Sequence, residues 1–552
     1  MLCSVSLARP TTNDQAQKVV AGWLKTAAQP FYPELQQNVA NVETFFAETG
    51  EPIYYAVYLQ SGGFVIVSAN DMIEPIIAFS DSDIYDPSDV NPLGALVTGD
   101  LNNRIASLQG TFGLQMAARN SAVLNNQNKW RYFQNLGERD GSGFTLMGLE
   151  SISDIRVSPL IRSKWGQTGC CTNPALDCFN YYTPGQYPCG CVATALAQLI
   201  RFHQYPVSPI GANHIMIEVD QKPRTSFTRG GDGSGGAYNF SAMPADPNCS
   251  ATEAQREAIG ALCYDTGISV GTNYGSDMSS AEVYKTKDAL IEIFQYGNAV
   301  NGFNSNENIG PGLIEMINPN LDAGSPVILA IKRQGGGHAV LCDGYGYIFS
   351  TLYHHLNMGW AGIDDAWYNL PAVDTDRYEY TSINECIYNI RVTKVGDGEA
   401  ISGRVFDIDN QPISGAVVYA ESIDGGSSYS TQSNEKGIYA FGSLISNTTY
   451  TIRPKAIAYI FPGQVVTMGE SKNDKPVSGN IWGVDFTAEY IGDFDGDNDI
   501  DSADFAVLAS AWQTVPGDTR YNPDCDISNP PDNIIDALDL AVFVDNWLAV
   551  VE

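Results

Sequence analysis

QYPCGCVATALAQLIRFHQYP, residues 186–206, places Cys189 and Cys191 two positions apart, directly ahead of a run with helical periodicity. Val192, Leu196, Leu199 and His203 share one face, Ile200 lies beside them, and Ala193, Ala195 and Ala197 are small enough for other elements to pack closely. The helix has to stop before Pro206. Cys191 therefore falls at a helix N-terminus, where unpaired backbone N–H groups favour an anion and draw a thiol toward thiolate. A reactive thiolate also needs a basic neighbour, usually an imidazole.

The chain has five histidines. His203 rides the same helix about three turns away, roughly 18 Å at 1.5 Å per residue, and cannot reach Cys191. His214 sits in a loop without special context, and His354 and His355 fall in the strand-like TLYHHLNMGWAG. His338 lies in GGGHAVLCDGYGY, where three glycines precede an apolar strand. That is a place for a base to meet a nucleophile across a cleft, so His338 is the leading partner on local grounds.

Composition sets the frame. A chain of 552 residues is too long for one core and predicts three to five domains. Hydrophobic residues make up 44% and aromatic residues 11%, as in packed globular protein. The net charge of −33, with no Lys/Arg run, excludes nucleic acid as a partner. No stretch approaches the ~20 apolar residues that span a bilayer. Ser6 and Ala8 in MLCSVSLARPTT suit the end of a signal peptide, so residues 1–8 are read as its remnant and the protein as secreted or cell-surface associated. The eleven cysteines, eight of them between 170 and 342, suggest one to three disulfides in an exported chain, with Cys170, Cys171, Cys178 and Cys189 the leading participants. Zinc is disfavoured by the Cys-x-Cys spacing.

Four regions follow from pattern. Residues 9–150 open on a helix, NDQAQKVVAGWLKTA, capped by Asn13 or Asp14, with Ala16, Val19, Val20, Trp23 and Leu24 on one face. A meander of IYYAVYL, GGFVIVSA and PIIAFS and a further helix complete an α+β unit that reads as separate from the rest. Residues 151–395 hold most cysteines and every histidine. Residues 398–488 show short β-runs punctuated by DNQP, DGG and NEKG turns, the pattern of an antiparallel sandwich. Residues 491–550 are acidic and carry a motif twice. From Ile491 to Glu552 there are fourteen Asp/Glu against one Arg. DFDGDNDIDSAD places Asp493, Asp495, Asp497, Asp501 and Asp504 at loop positions 1, 3, 5, 9 and 12, with the Asp499 carbonyl at 7, a spacing that wraps one Ca²⁺. The second copy uses Asp524, Asp526, Asp532, Asp536 and Asp539 around an SNPP insertion. Each loop is followed by an apolar helix that ends in Trp (Trp512, Trp547).

GCVATALAQLIRFHQYP, GGGHAVLCDGYGY and HLNMGWAGIDDAWYNL occur in the order of the signature blocks of streptopain-type cysteine peptidases, a branch of the papain-like fold, and the chain resembles that family over roughly residues 9–395. SPLIRSKWGQ, YNFSAMP and CYDTGISVGTNYG add to the resemblance, and the first region resembles the family's propeptide. The resemblance implies Cys191 as nucleophile and His338 as general base and later acid. It implies Gln167 of KWGQ as an oxyanion donor beside the Cys191 N–H, and Asn357 or Trp360 as the group that orients or shields the imidazole. The family's Asn-Trp-Gly-Trp-Gly-Gly reads Asn-Met-Gly-Trp-Ala-Gly here, so Met358 removes a wall-forming ring. Cys189, so close to the nucleophile, is expected to be tied off in a disulfide with Cys170, Cys171 or Cys178. The sandwich resembles carboxypeptidase-regulatory-like modules, and the Asp-ended loop–helix pairs resemble dockerins.

The expectation is a multidomain α+β chain: a papain-like cysteine peptidase domain preceded by an α+β propeptide, then an all-β sandwich and a small helical Ca-binding dockerin-like module. The implied function is a secreted endopeptidase made as a zymogen and acting on polypeptides. It needs no cofactor for catalysis, carries structural Ca²⁺ in the tail, and has a cohesin-type partner there. Activation is expected between Met147 and Ser158. The alternatives are another Cys-His acyl transferase, such as an amidase or transglutaminase, and a non-catalytic assembly protein with a relic papain-like domain.

Overall fold

The computed structural model describes residues 10–26, 38–60, 62–81, 84–88, 90–108, 121–138, 153–171, 176–305, 308–333, 336–370, 383–456, 459–495, 500–528 and 531–547. The signal-peptide reading of residues 1–8, and Met147 at the start of the expected activation window, lie outside them. Two compact units result, one covering residues 1–399 with short returns at Gly442–Leu444 and Glu470–Gly479, the other the remainder.

The first unit is built on one eleven-stranded sheet. Its order runs Val39–Phe46, Pro52–Leu59, Phe64–Ser68, Ile76–Ser80, Ala366–Tyr368, Thr351–Asn357, Gly336–Ile348, Val327–Arg333, Ile383–Arg391, Asn298–Phe303, with Asp154–Val157 branching onto Gly336–Ile348. The N-terminal meander therefore does not stand apart as its composition suggested. Its last strand, buried at every position, pairs antiparallel with Ala366–Tyr368 through Trp367↔Phe79 and Tyr368↔Ala78. The physical reason is that PIIAFS is apolar on both faces and leaves an unpaired edge unless another strand covers it. The predicted helix face is buried as a set: Ala16, Val19, Val20, Trp23 and Leu24 pack with Trp130 and Phe133 of Ser121–Glu138, and with Phe349, Tyr353 and Trp367 from beyond residue 340. One core thus runs across both regions. The cap of Asn13–Thr26 is Thr12 rather than Asn13 or Asp14, because Thr12 and Gln15 exchange reciprocal hydrogen bonds.

A second core surrounds Cys191–His203, whose Val192–Ile200 stretch is buried throughout. Glu253–Ser269 crosses it, capped by a Thr252–Gln255 box, and Thr266 Oγ1 donates to the Ala193 carbonyl at 3.0 Å.

The second unit contains the sandwich and the tail. Val417–Ser422, Ser428–Gln432, Thr449–Lys455 and Gln464–Thr467 form one antiparallel sheet; Ile438–Leu444, Glu399–Phe406 and Phe486–Thr487, whose Glu399 and Gly442–Leu444 count with the first unit, form a second, and Tyr459–Ile460 pairs with Glu489–Tyr490. In the tail, Ser502–Ser510 and Ala537–Trp547 share a core of Ile500, Leu508, Ala511, Cys525, Ile535 and Phe543. Among the described residues no helix is long and apolar enough to cross a membrane.

Candidate active site

The chain reaches Cys191 through Gly190 at φ 92°, a left-handed turn that L side chains rarely adopt, and a Cβ at Gly190 would stand 3.1 Å from the Ser279 carbonyl. This glycine makes the sharp entry into the helix and puts Cys191 at its first position, half-buried. Burial alone would push the Cys191 thiol up. The charge and hydrogen bond of His338, with the N–H groups of Ala339 and Val192, outweigh that and bring it down to about 7.

His338 enters from Gly336–Ile348, in register with Ile331, and is buried. Its Nε2 lies 2.9 Å from the Met358 carbonyl, which leaves Nδ1 as the ring nitrogen for the thiol. Trp360 meets the imidazole edge-on, with ring centroids 6.0 Å apart. The other histidines sit elsewhere. His203 Nδ1 is bonded to Tyr296 Oη, and burial holds the ring down to about 4. His354 Nε2 pairs with Asn318 Oδ1, and burial takes it to about 3. His214 lies tilted against Phe227, and His355 pairs with Asp343.

Among the described residues Asn357 makes no hydrogen bond to the imidazole. Its Nδ2 donates to the Ser163 carbonyl at 3.0 Å, and its Oδ1 accepts from Gln198 Nε2 at 2.9 Å and from the Gly359 N–H at 3.1 Å. The acceptor for His338 is the Met358 backbone instead. Met358 is fully buried, and its backbone carbonyl is the atom presented to the imidazole.

Gln167 is half-buried, and its carbonyl accepts the Cys189 N–H at 2.9 Å, which ties it to the approach of the nucleophile. Among the described residues its side-chain amide makes no hydrogen bond, as a waiting oxyanion donor requires. Gln198 was not singled out from sequence. It is fully buried, and its Oε1 accepts from Ser163 Oγ at 2.9 Å and the Trp165 N–H at 3.2 Å while its Nε2 holds Asn357. One amide therefore joins the nucleophile helix, the segment leading to Gln167 and the turn that carries Met358. Trp165 Nε1 in turn donates to the Pro244 carbonyl, bringing KWGQ against YNFSAMP.

The disulfide expectation holds for Cys171 and fails for Cys189: among the described residues the bridge is Cys171–Cys249, and Cys170, Cys178 and Cys189 carry free thiols. Cys189 is fully buried with Sγ 3.3 Å from Thr194 Oγ1, whereas Cys191 is half-buried. Gly190, at φ 92°, turns the chain between the two cysteines, so Cys189 stays in the core while Cys191 begins the helix.

In the second unit, Asp493, Asp495 and Asp504 bring carboxylate oxygens within 4.8 Å of one another. Asp497 and Asp499 lie outside the described residues. Asp501 caps the following helix through the Ala503 N–H, and the buried Asp504 accepts the N–H groups of Phe494 and Asp501. The hard oxygen donors and the position-12 Asp fit a Ca²⁺ ligand set. In the second loop, Asp539 repeats the Asp504 pattern, accepting from Ile527, Ser528 and Asp536. Asp526 is engaged by the N–H groups of Asp532 and Asn533, and Asp536 caps through Leu538. Asp524, Asp526, Asp532, Asp536 and Asp539 do not converge as the first set does: among the described residues only the first loop gathers three ligand atoms.

Residues 174–368 match the Peptidase C10 family, residues 8–105 the Spi protease inhibitor family, and residues 400–471 the carboxypeptidase regulatory-like domain. The chain is similar to streptopain of Streptococcus pyogenes, 25% identical over 338 residues that cover 58% of this chain and 74% of that one. It is also similar to the thiol protease/hemagglutinin PrtT of Porphyromonas gingivalis, 26% identical over 176 residues covering 32% and 20%. Among solved structures, a prointerpain A fragment of Prevotella intermedia aligns at 19% identity with a TM-score of 0.46, covering 64% of this chain and 98% of that one.

Proposed function

We propose how this chain works from the premise that it carries a peptidase C10, streptopain-family domain behind a Spi-type inhibitor domain and is a cysteine-type endopeptidase. The carrying observation is the Cys191–His338 contact at a helix N-terminus, with the thiol brought down to about 7. In this reading the Cys191 thiolate attacks a substrate carbonyl while the protonated imidazole waits beside it. The oxygen that becomes negative is held by the Cys191 N–H and Gln167 Nε2. His338 protonates the leaving amine, then takes a proton from the water that opens the acyl-enzyme. Trp360 shields the imidazole, and Asn357 acts one step back, through the Met358–Gly359 peptide.

The inhibitor domain, residues 9–150, makes the chain a zymogen that is exported before activation. Asp154–Val157 is held in the sheet against Tyr345–Tyr347, so the activating cut falls before Asp154. The β-sandwich, residues 398–488, is a spacer. The tail, residues 491–550, is a dockerin-like module in which Asp493, Asp495 and Asp504 hold Ca²⁺ and which docks on a cohesin-type protein; the convergence of the three carboxylates supports this. Mutating Cys191→Ala should abolish both self-processing and labelling by an epoxide thiol inhibitor, and the wild-type product should begin before Asp154. Activity that survives Cys191→Ala would overturn the reading.

A further inference from the structure

The acceptor of the His338 proton is a backbone carbonyl, and a carbonyl is only as well aimed as the backbone that carries it. At Met358 the backbone is gripped on both sides. The peptide that offers the carbonyl to His338 Nε2 donates its N–H, on Gly359, to Asn357 Oδ1 at 3.1 Å. On the other side, the N–H of Met358 donates to Asp365 Oδ1 at 2.8 Å. Gly359 stands at φ 69°, so the turn has no side chain to stiffen it and depends on these two bonds. If either slackens, the carbonyl swings, the imidazole follows it, and Nδ1 leaves the line to the Cys191 thiol.

We propose that Asp365 is a positioning residue for the peptidase reaction, acting on His338 through the Met358 backbone. The proposal rests on the reading of His338 as the base. Asp365 is not a surface carboxylate with one incidental bond. It faces His355, whose Nδ1 is 2.7 Å from the fully buried Asp343, and it feels Lys164. Asp343 in turn accepts the Ile161 N–H at 2.7 Å. Before processing, the inhibitor domain adds Asp81 beside His355 and Ser80 Oγ, which donates to the Asp365 backbone carbonyl at 2.6 Å; both leave with that domain, and the Met358, His355 and Lys164 partners stay. Burial pushes the Asp365 carboxyl up to about 6, while His355 and the Met358 N–H pull it back.

The sign of the pH effect follows. The ionised carboxylate is the better acceptor for the Met358 N–H. Activity is therefore favoured above the Asp365 ionisation and declines as pH falls through it. Removing the positive charge of His355 raises that ionisation, so the acid limb of the pH–rate profile moves to higher pH.

The test uses the full-length, self-processed protein, with active sites counted by the epoxide inhibitor. Asp365→Asn keeps the shape and loses the charge. It should lower kcat about 10- to 100-fold with KM within about twofold, a size typical of a misaimed catalytic group, and remove the part of the acid limb that lies below the Cys191 ionisation. Asp365→Glu, which restores a carboxylate, should recover part of the loss. His355→Gln keeps a donor for Asp343 and should shift the acid limb upward by about half a pH unit or more. Wild-type kcat and an unmoved acid limb in Asp365→Asn overturn the proposal. Should Asp365→Asn fail to fold, an unmoved limb in His355→Gln overturns it alone. An inactive Cys191→Ala beside a normal Asp365→Asn defeats this inference and spares the dyad; an active Cys191→Ala defeats the dyad itself.

Discussion

Gln167 and Gln198 are both amides on segments that meet beside the nucleophile, yet they do opposite things. Gln198 spends every polar atom inside the protein, and Gln167 commits only its backbone. Gln167→Ala should therefore leave the fold and KM nearly unchanged and lower kcat about 10²- to 10³-fold, the usual cost of one oxyanion donor. A steady-state comparison at matched active-site concentration checks it, and a fall in KM-linked binding alone would contradict the role. The difference also marks how far residues speak for themselves. Cys191 and His338 were legible because a helix start and a glycine-flanked strand are local signals. Gln198 had a quieter one: it stands seven residues, two turns, after Cys191 in a mostly apolar buried stretch, and a buried amide there has to bond something. What that something is, Ser163, Trp165 and Asn357, comes from chain far away, and no local pattern names it. Asn357 shows the same limit from the other side, since its place near the site was legible while its partner was not.

At the scale of elements, the inhibitor region and the peptidase region are joined by polar contacts buried at their seam as well as by the shared sheet. Tyr368 Oη donates to Asp100 Oδ2 at 2.7 Å, Arg104 pairs with Asp100, and its Nη1 reaches Asn369 Oδ1 at 2.8 Å. Lys129 Nζ, buried, pairs with Glu74 at 2.8 Å and also bonds Thr351 Oγ1. Breaking a buried pair by removing one partner is costly, because the other charge stays behind without compensation. In the inactive Cys191→Ala background, Lys129→Met should destabilise the first unit by about 3–5 kcal/mol, while Lys129→Met with Glu74→Gln recovers most of it. Thermal unfolding measures both, and equal melting temperatures for the single and double variants would contradict the coupling. The individual strands of this seam were readable from alternation and apolar runs. Their pairing was not: Phe79 meets Trp367 across nearly three hundred residues, and strand edges carry no address in sequence.

For the whole molecule, the charge is the property that most needs a mechanism. The net of −33 is concentrated in part at the end, where residues 491–552 carry fourteen acidic side chains and one Arg. Self-repulsion of that size opposes a compact tail whose core is six buried residues. A divalent cation on Asp493, Asp495 and Asp504 would relieve it where the carboxylates crowd most. Binding to the folded form alone stabilises by about 2.7 kcal/mol when Ca²⁺ stands a hundredfold above its Kd, and a tail this small responds strongly. Calcium should therefore raise the melting transition of the second unit and increase its helicity, EDTA should reverse both, and the transition of the first unit should stay where it is. Since only the first loop gathers three ligand atoms among the described residues, Asp495→Ala should remove most of the calcium-dependent shift and Asp524→Ala little of it. Calorimetry that finds no calcium-dependent heat, or a shift confined to the first unit, would remove Ca²⁺ from the account and leave the tail as a solvated acidic module.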